Sequence, residues 1–515
     1  MTLARMLGAA VARDPDAIAI VESDRRLTYR DWADEIGRLA GGLSRLGVSE
    51  GDHCVAILSN RYETASLFWA CQQLGAVFTP FNWRATAAEI AFVLEDAEAR
   101  IVVYEDRSAT ALEKVLEERC TAAVISLDDG QGTPYRELIQ GEPFSGRLPA
   151  DDRSICLMLY TSGTTGRPKG VPRSHAAECI GSIGCIAQLH YGNGDVTLGV
   201  MPLFHTMGIR ALSMSVYLNG TFVCMPTFDT AQALDLIARE RISTLFLVPT
   251  MFHDMLHHKD FATFDPAPVR NLAYAGMSMT AALIEACATG FKPERFSNFY
   301  GSSEIYTFTV CNDAEAKPGC AGRPGMGQQI RIVRCDPDER VGPDALVTPG
   351  ETGEIIARMD SLDAFAGYWK RPDADKKAIR DGWYFTGDLG CFDEDGELFV
   401  LGRVDDMVNS GGENIYPEEV EGMLSKCPLV RGVAVIGLPD DRWGQKLIAF
   451  VEPENEVASA EELDRYCLDS DIARFKRPRG YAFIDAIPRS ASGKLLRREL
   501  RLGAYKLLGN FQHTI

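Results

Sequence analysis

The chain has 515 residues, 46% hydrophobic and 24% charged, with 53 Lys plus Arg against 72 Asp plus Glu and a formal charge of -19. This is ordinary globular composition in a chain too long for one hydrophobic core, so at least two domains are expected. The acidic balance argues against a general nucleic-acid binder, whose phosphate contacts need a basic face, and no apolar run reaches the roughly 18 to 20 residues that span a bilayer.

The opening stretch "MTLARMLGAAVARDPD" meets Asp14 and Asp16 without a signal-peptide apolar region and reads as an amphipathic helix. From about 50 to 300, short apolar runs ("HCVAILS", "RIVVYE", "STLFLVP", "RNLAYAG") alternate with helical stretches such as "TASLFWACQQLGA" and "TAQALDLIARE". That is the pattern of βαβ units, hence a large α/β domain with mainly parallel strands. Within it, the apolar run "ICLMLY" leads into "YTSGTTGRPKGVPRSH", residues 160 to 175. A strand entering a glycine-hinged, hydroxyl-rich loop brings backbone N–H groups up to phosphate oxygens. The order Gly163, Thr164, Thr165, Gly166, Arg167, Pro168, Lys169, Gly170 is not a P-loop, which needs lysine directly after glycine and a hydroxyl next to it.

From about 320, "GQQIRIVRC", "GETGEIIAR" and "DGELFVLGR" read as strands separated by tight turns, a smaller β-rich subdomain. After "GRVDD" at 402 to 406, helical "YPEEVEGMLSK" and strand-like "VRGVAVIGL" restore α/β character in a second domain. "HDMLHH" puts His253 and His257 at helical spacing without the glutamate of H-E-x-x-H, so these read as helix surface rather than a zinc site. The 14 cysteines contain no C-x-x-C pair, which fits reduced thiols. The C-terminal "NFQHTI" carries no ER, peroxisomal or prenylation signal, and the expected location is the cytoplasm.

The loop "YTSGTTGRPKG" closely resembles the signature of the AMP-forming adenylating enzymes: acyl- and aryl-CoA synthetases, peptide-synthetase adenylation domains and luciferases. Further matches in the family's order and spacing cover essentially the whole chain. They imply an N-terminal AMP-binding domain over 1–404 and a small mobile α/β domain over 405–515, rotating about Asp405 between two half-reactions. The resemblance assigns Thr161, Ser162, Gly163, Thr164, Thr165, Gly166 and Lys169 to ATP phosphates. From "NFYGSSE" it takes Tyr300, Gly301, Ser302 and Ser303 for the nucleotide and Glu304 for Mg²⁺. Asp388 in "YFTGDLG" and Arg403 in "GRVDD" are implied at the ribose, and Lys494 in "PRSASGKLLRREL" as the catalytic lysine of adenylation.

For coenzyme A, the resemblance implies a tunnel past Gly411 and Gly412 in "SGGENIYPEEVE", where the pair is read as entering a helix start. Trp443 of "DRWGQ" flanks it, Phe475 packs at the nucleotide, and Arg477, with Lys476 and Arg84, meets its phosphates. His205 in "MPLFHTMG" stands at the family's aromatic or histidine gate and joins Lys494 and Glu304 as catalytic. No acidic residue lies between Met201 and Gly208, so an α-amino acid, whose buried ammonium would lack a partner, is disfavoured.

The chain most resembles the 4-chlorobenzoate and benzoate type of CoA ligase. Family matching then places His205, Thr206, Met207, Gly184, Ala275, Gly276, Met277, Phe299, Gly301 and Tyr306 on the acyl pocket, a set with no cation for a second carboxylate. Gly184 replaces a bulky aromatic of the chlorobenzoate ligases, leaving room for a larger acid. The expected activity makes acyl-AMP from ATP and an aromatic or alicyclic acid, then the CoA thioester. Medium-chain fatty acid ligation and loading of a carrier protein remain alternatives. The expected partners are a small carboxylic acid, no nucleic acid and no membrane insertion, with a homodimer left open.

Overall fold

The computed structural model describes all residues except 119–121, 162–167, 336–339, 411–412, 455–458, 490–494, 509–511 and 514–515. The expected N-terminal helix spans Leu3–Arg13 and buries Leu3, Met6, Leu7 and Ala10 at helical spacing. Two large sheets follow, and the aromatic core packs around them: Trp32 and Trp69 are fully buried with Phe68 and Phe78, and Trp32 Nε1 donates to Ser66 Oγ at 2.8 Å.

Among the described residues the first sheet has seven strands. Its edge is the antiparallel pair Ile155–Thr161 and Lys169–Ser174, with Thr161 opposite Lys169. The glycine loop therefore connects a hairpin, and Lys169 stands at its foot. Among the described residues a second sheet has 14 strands and runs parallel through Thr221–Cys224, Val196–Gly199, Thr244–Leu247, Asn271–Tyr274 and Arg295–Tyr300. It then turns antiparallel through Thr309–Cys311 and Cys320–Pro324.

The expected strands of the β-rich subdomain are Ile330–Val333, Gly353–Arg358 and Leu398–Arg403. They do not form a separate sheet. Cys320–Pro324 pairs with Leu398–Arg403, so hydrogen bonding continues from the parallel strands into the antiparallel ones. One sheet thus carries Tyr300 and, at the paired positions Asp388 and Arg403, the other end of the candidate site.

Beyond Arg403 a short 3-10 turn, Val404–Asp406, leads to a further sheet, of six strands among the described residues, with its own core around Val420, Leu424, Val435, Leu447 and Tyr481. Val408–Ser410 pairs antiparallel with Glu413–Ile415, Ser410 opposite Glu413. The segment expected to enter a helix is therefore a strand pair, and the helix begins later, at Pro417. Among the described residues no helix is long and apolar enough to cross a membrane. His253 and His257 are exposed, stacked at 4.1 Å along one helix.

The turn after Arg403 is fixed by one buried cation. Arg497 Nη2 lies 2.7 Å from Glu421 Oε2 and 2.8 Å from Glu418 Oε1, and its Nη1 3.2 Å from Asp406 Oδ2. Glu418 also packs on Gly402, where a Cβ would sit 2.2 Å from Glu418 Oε2. Burial pushes the Glu418 carboxyl up to about 7. Removing the cation strands buried carboxylates, so Arg497→Met is expected to destabilise the C-terminal unit by about 3 to 5 kcal/mol. Urea unfolding followed by Trp443 fluorescence checks this, and an unchanged midpoint refutes it.

Candidate active site

The segment after the strand Arg295–Tyr300 folds back on itself: Phe308 N donates to Tyr300 O at 2.8 Å and Ser302 N to Ile305 O at 2.9 Å. A Cβ at Gly301 would lie 1.9 Å from Tyr306 O, so only glycine permits the fold-back. Ser302 Oγ accepts from the backbone N–H of Glu304 and Ile305, at 3.2 and 3.3 Å. This is a local side-chain turn that holds Glu304 in place.

Glu304 is buried, and its Oε1 accepts from the Tyr368 hydroxyl at 2.7 Å. The Lys169 ammonium lies 4.3 Å from the Tyr368 ring centroid. Burial lowers the Lys169 pKa, against the attraction of Glu304. Tyr368 thus joins the foot of the glycine hairpin to the Glu304 carboxylate through its two ends. The backbone repeats the link: Trp369 N donates to Gly170 O at 2.9 Å and Phe365 N to Glu304 O at 2.8 Å.

A second group converges on Asp388. The Tyr300 hydroxyl donates to Oδ2 and Arg403 Nη1 to Oδ1, both at 2.5 Å. Burial, then the neighbouring Asp388, raises the Tyr300 hydroxyl well above the usual phenol range. Burial opposes the Arg403 charge, but Asp388 outweighs it and the pKa rises. Ser303 Oγ lies 3.1 Å from Thr206 Oγ1, bringing the Glu304 segment against the start of the helix Thr206–Tyr217. His205 is the residue before that helix, half-buried, its ring 4.9 Å from Phe204.

The structure therefore gathers Lys169, Tyr300, Gly301, Ser302, Ser303, Glu304, Thr206 and His205, with Asp388 and Arg403 facing Tyr300. Thr161 ends the strand before the loop. Ser162, Gly163, Thr164, Thr165, Gly166, Gly411, Gly412 and Lys494 lie outside the described residues. Asp405 is exposed in the 3-10 turn. Of the acyl-pocket set, Ala275, Phe299 and Tyr306 are in the large core, with Phe299 stacked on Phe246 at 5.1 Å. Met207 and Met277 are half-buried, Gly276 adopts φ +83°, and Gly184 lies in the helix His175–Leu189.

Among the residues expected at coenzyme A, Lys476 Nζ is 2.7 Å from Glu419 Oε2 and Arg477 Nε 2.8 Å from Asp464 Oδ1. Arg442 and Arg479 flank Trp443, at 4.7 and 5.8 Å from its ring, and Phe475 is exposed. Arg84 is exposed and stacked 4.0 Å over Trp83, beside Arg107. One expectation needs correction: the pocket set does have cations beside it, the guanidiniums of Arg173 and Arg210 each lying 4.0 Å from the Tyr306 ring centroid.

Sequence reasoning missed Tyr368 and Arg173. Arg173 Nε donates to Glu178 Oε1 at 2.8 Å, and its Nη1 to the carbonyls of Glu304 and Asp363 at 3.0 and 2.6 Å. Neither residue has a local pattern to find it by.

Comparison with known proteins gives the same answer throughout the chain. The AMP-binding enzyme family model matches residues 7–369, and the model of the AMP-binding enzyme C-terminal domain matches 419–494. A long-chain fatty acid–CoA ligase of Mycobacterium tuberculosis, FadD13, is 32% identical over 96% of this chain and 97% of its own length. A 4-chlorobenzoate–CoA ligase of Arthrobacter is 33% identical over 96% and 94%. The structure of o-succinylbenzoate CoA synthetase from Bacillus subtilis, in complex with ATP and magnesium, superposes with a TM-score of 0.84 at 29% identity, covering 96% of this chain and 99% of that one. The chain belongs to the AMP-binding enzyme family, and its chemistry is that of the ATP-dependent acid–CoA ligases.

Proposed function

We propose that this enzyme activates a compact ring-bearing carboxylic acid, aromatic or alicyclic, as its acyl-AMP and passes the acyl group to coenzyme A. The observation that carries this reading is the convergence of Glu304 and Lys169 on Tyr368 at the foot of the glycine hairpin. Attack of a carboxylate on the α-phosphate of ATP brings two anions together, so cationic groups must face both. Lys169 is held where the hairpin would present it to phosphate. Lys494 takes the second cationic role, at the bridging oxygen.

Tyr300 flanks the adenine, and Asp388 with Arg403 holds the ribose. Among the described residues no cluster of three His, Cys, Asp or Glu side chains is placed to hold a metal. A single carboxylate, Glu304, with one oxygen committed to Tyr368, fits magnesium, which keeps waters and takes its other oxygens from phosphates. When bound, the ion neutralises phosphate charge. Positioning by the chain supplies the rest of the rate.

The acid lies between the helices His175–Leu189 and Thr206–Tyr217, with His205 at the gate. At Gly184 a Cβ would meet nothing closer than Gln188 Nε2 at 3.9 Å, which supports an acid larger than a bare benzoate. For the second half-reaction the unit after Asp405 rotates, and Gly411 and Gly412 take the role of the pantetheine tunnel. Trp443 then lines the pantetheine path, and Arg442 and Arg479 take the phosphate role first expected of Lys476 and Arg477.

Acid-dependent AMP release with CoA, across benzoates, hydroxycinnamates, cyclohexane carboxylates and medium-chain fatty acids, tests the substrate class. Ring acids are expected to lead, and a clear lead for fatty acids overturns that class. Lys494→Ala is expected to abolish adenylate formation while sparing thioester formation from supplied acyl-AMP, and equal loss in both half-reactions removes its assignment. Trp443→Ala should raise the KM for CoA more than that for ATP; the reverse contradicts the tunnel.

A further inference from the structure

Between the helices His175–Leu189 and Thr206–Tyr217 lies a buried charge cluster that the reaction as described does not use. The guanidiniums of Arg173 and Arg210 each lie 4.0 Å from the Tyr306 ring centroid, and all three side chains are at most 1% exposed. Arg173 is well provided for by Glu178 and two carbonyls. Arg210 is not. Its Nη1 reaches Ser182 Oγ at 3.4 Å, its Nη2 has no acceptor, and among the described residues no carboxylate pairs with it.

Four buried polar atoms of the cluster lack partners: Nη2 of Arg173, Nη2 of Arg210, Glu178 Oε2 and the Tyr306 hydroxyl. The last two complement each other as acceptor and donor. Burial raises the Tyr306 hydroxyl well above its ordinary range, so it remains neutral and offers the guanidiniums no anion. The Asp363 carboxylate is already held by Gln328 Nε2 at 2.6 Å and by the Ser361 hydroxyl. What remains is donor capacity on guanidinium, and a buried charged donor without an acceptor is costly.

The helix that carries Arg210 also reaches the reacting end of the site. Arg210 stands one helical turn, about 6 Å, beyond Thr206, whose hydroxyl meets Ser303 at the reacting end of the site. Gly181 makes room for the guanidinium: a Cβ there would lie 2.5 and 2.7 Å from Arg210 Nη1 and Nη2. At Gly184, three residues on and on the same helix face, a Cβ would meet nothing closer than Gln188 Nε2 at 3.9 Å.

We propose that Arg210 determines specificity by receiving an oxygen acceptor on the tail of the acid, remote from the carboxylate that is activated. The substrate class is then acids with a hydroxy, oxo or second carboxylate group on the ring, in preference to bare hydrocarbon acids. This rests on the acid–CoA ligase reading and narrows it. A site built around such a donor discriminates strongly against an analogue that leaves the donor unpaired.

Acid-dependent ATP–pyrophosphate exchange tests it, with benzoate, 3- and 4-hydroxybenzoate and the 3- and 4-carboxybenzoates as probes, on the wild-type chain, Arg210→Met and Arg210→Lys. In the wild type at least one oxygen-bearing acid should exceed benzoate in kcat/KM by roughly 100-fold. Arg210→Met should collapse that ratio while benzoate is still used, and Arg210→Lys should keep part of it. The hydroxy and carboxy arms separate a neutral acceptor from an anionic one. Benzoate used as well as any derivative by the wild type overturns the proposal even if Arg210→Met does not fold, and so does a proportional loss on all acids in that variant. No exchange with any acid, including the wider ring and fatty acids, would overturn the ligase reading itself and the proposal with it.

Discussion

The site depends on one buried guanidinium. Arg173, on the second strand of the glycine hairpin, is fully buried and donates to the carbonyls of Glu304 and Asp363 while pairing with Glu178. Two segments distant in sequence, the Glu304 fold-back and the segment that delivers Tyr368, are thereby fixed to one strand together with the helix that follows it. A buried cation of this kind is costly to desolvate and strongly directional once paired. Its gain here is register between loops, and loops are where catalytic groups sit.

Around that anchor the charges sort into two pairs. Lys169 and Glu304 meet through Tyr368, and Arg403 and Tyr300 meet on Asp388. Each pair takes one member from the fold-back and its strand, and the other from a different strand or hairpin. The single 14-stranded sheet makes the second pair possible, because hydrogen bonding runs unbroken from the strand of Tyr300 to the strands carrying Asp388 and Arg403.

The C-terminal unit is organised by the same physics with a different consequence. Arg497 gathers Glu418, Glu421 and Asp406, and Glu418 presses on the backbone of Gly402. The contact spans the 3-10 turn that contains exposed Asp405, so the position proposed as a hinge lies beside an ion cluster rather than in a loose linker. A rotation there would exchange buried ion contacts, and ion contacts re-form in discrete arrangements more readily than packed apolar faces deform.

Sequence alone settled the chemistry class and the alternation of strands and helices, because each is written locally, in motifs a few residues long and in short apolar runs between helical stretches. The fold-back that needs glycine at 301 and the hairpin that carries the glycine loop came only with the structure. The tertiary structure decided everything whose partners are far apart in the chain. Tyr368 finds Glu304 across 64 residues, and Arg173 finds Glu304 and Asp363 across 131 and 190. The same distance hid the ion pairs that occupy Lys476 and Arg477, and the second guanidinium on Tyr306. A side chain's charge is legible in sequence, but whether that charge is already spent depends on burial and on neighbours that only the folded chain brings within a few ångströms.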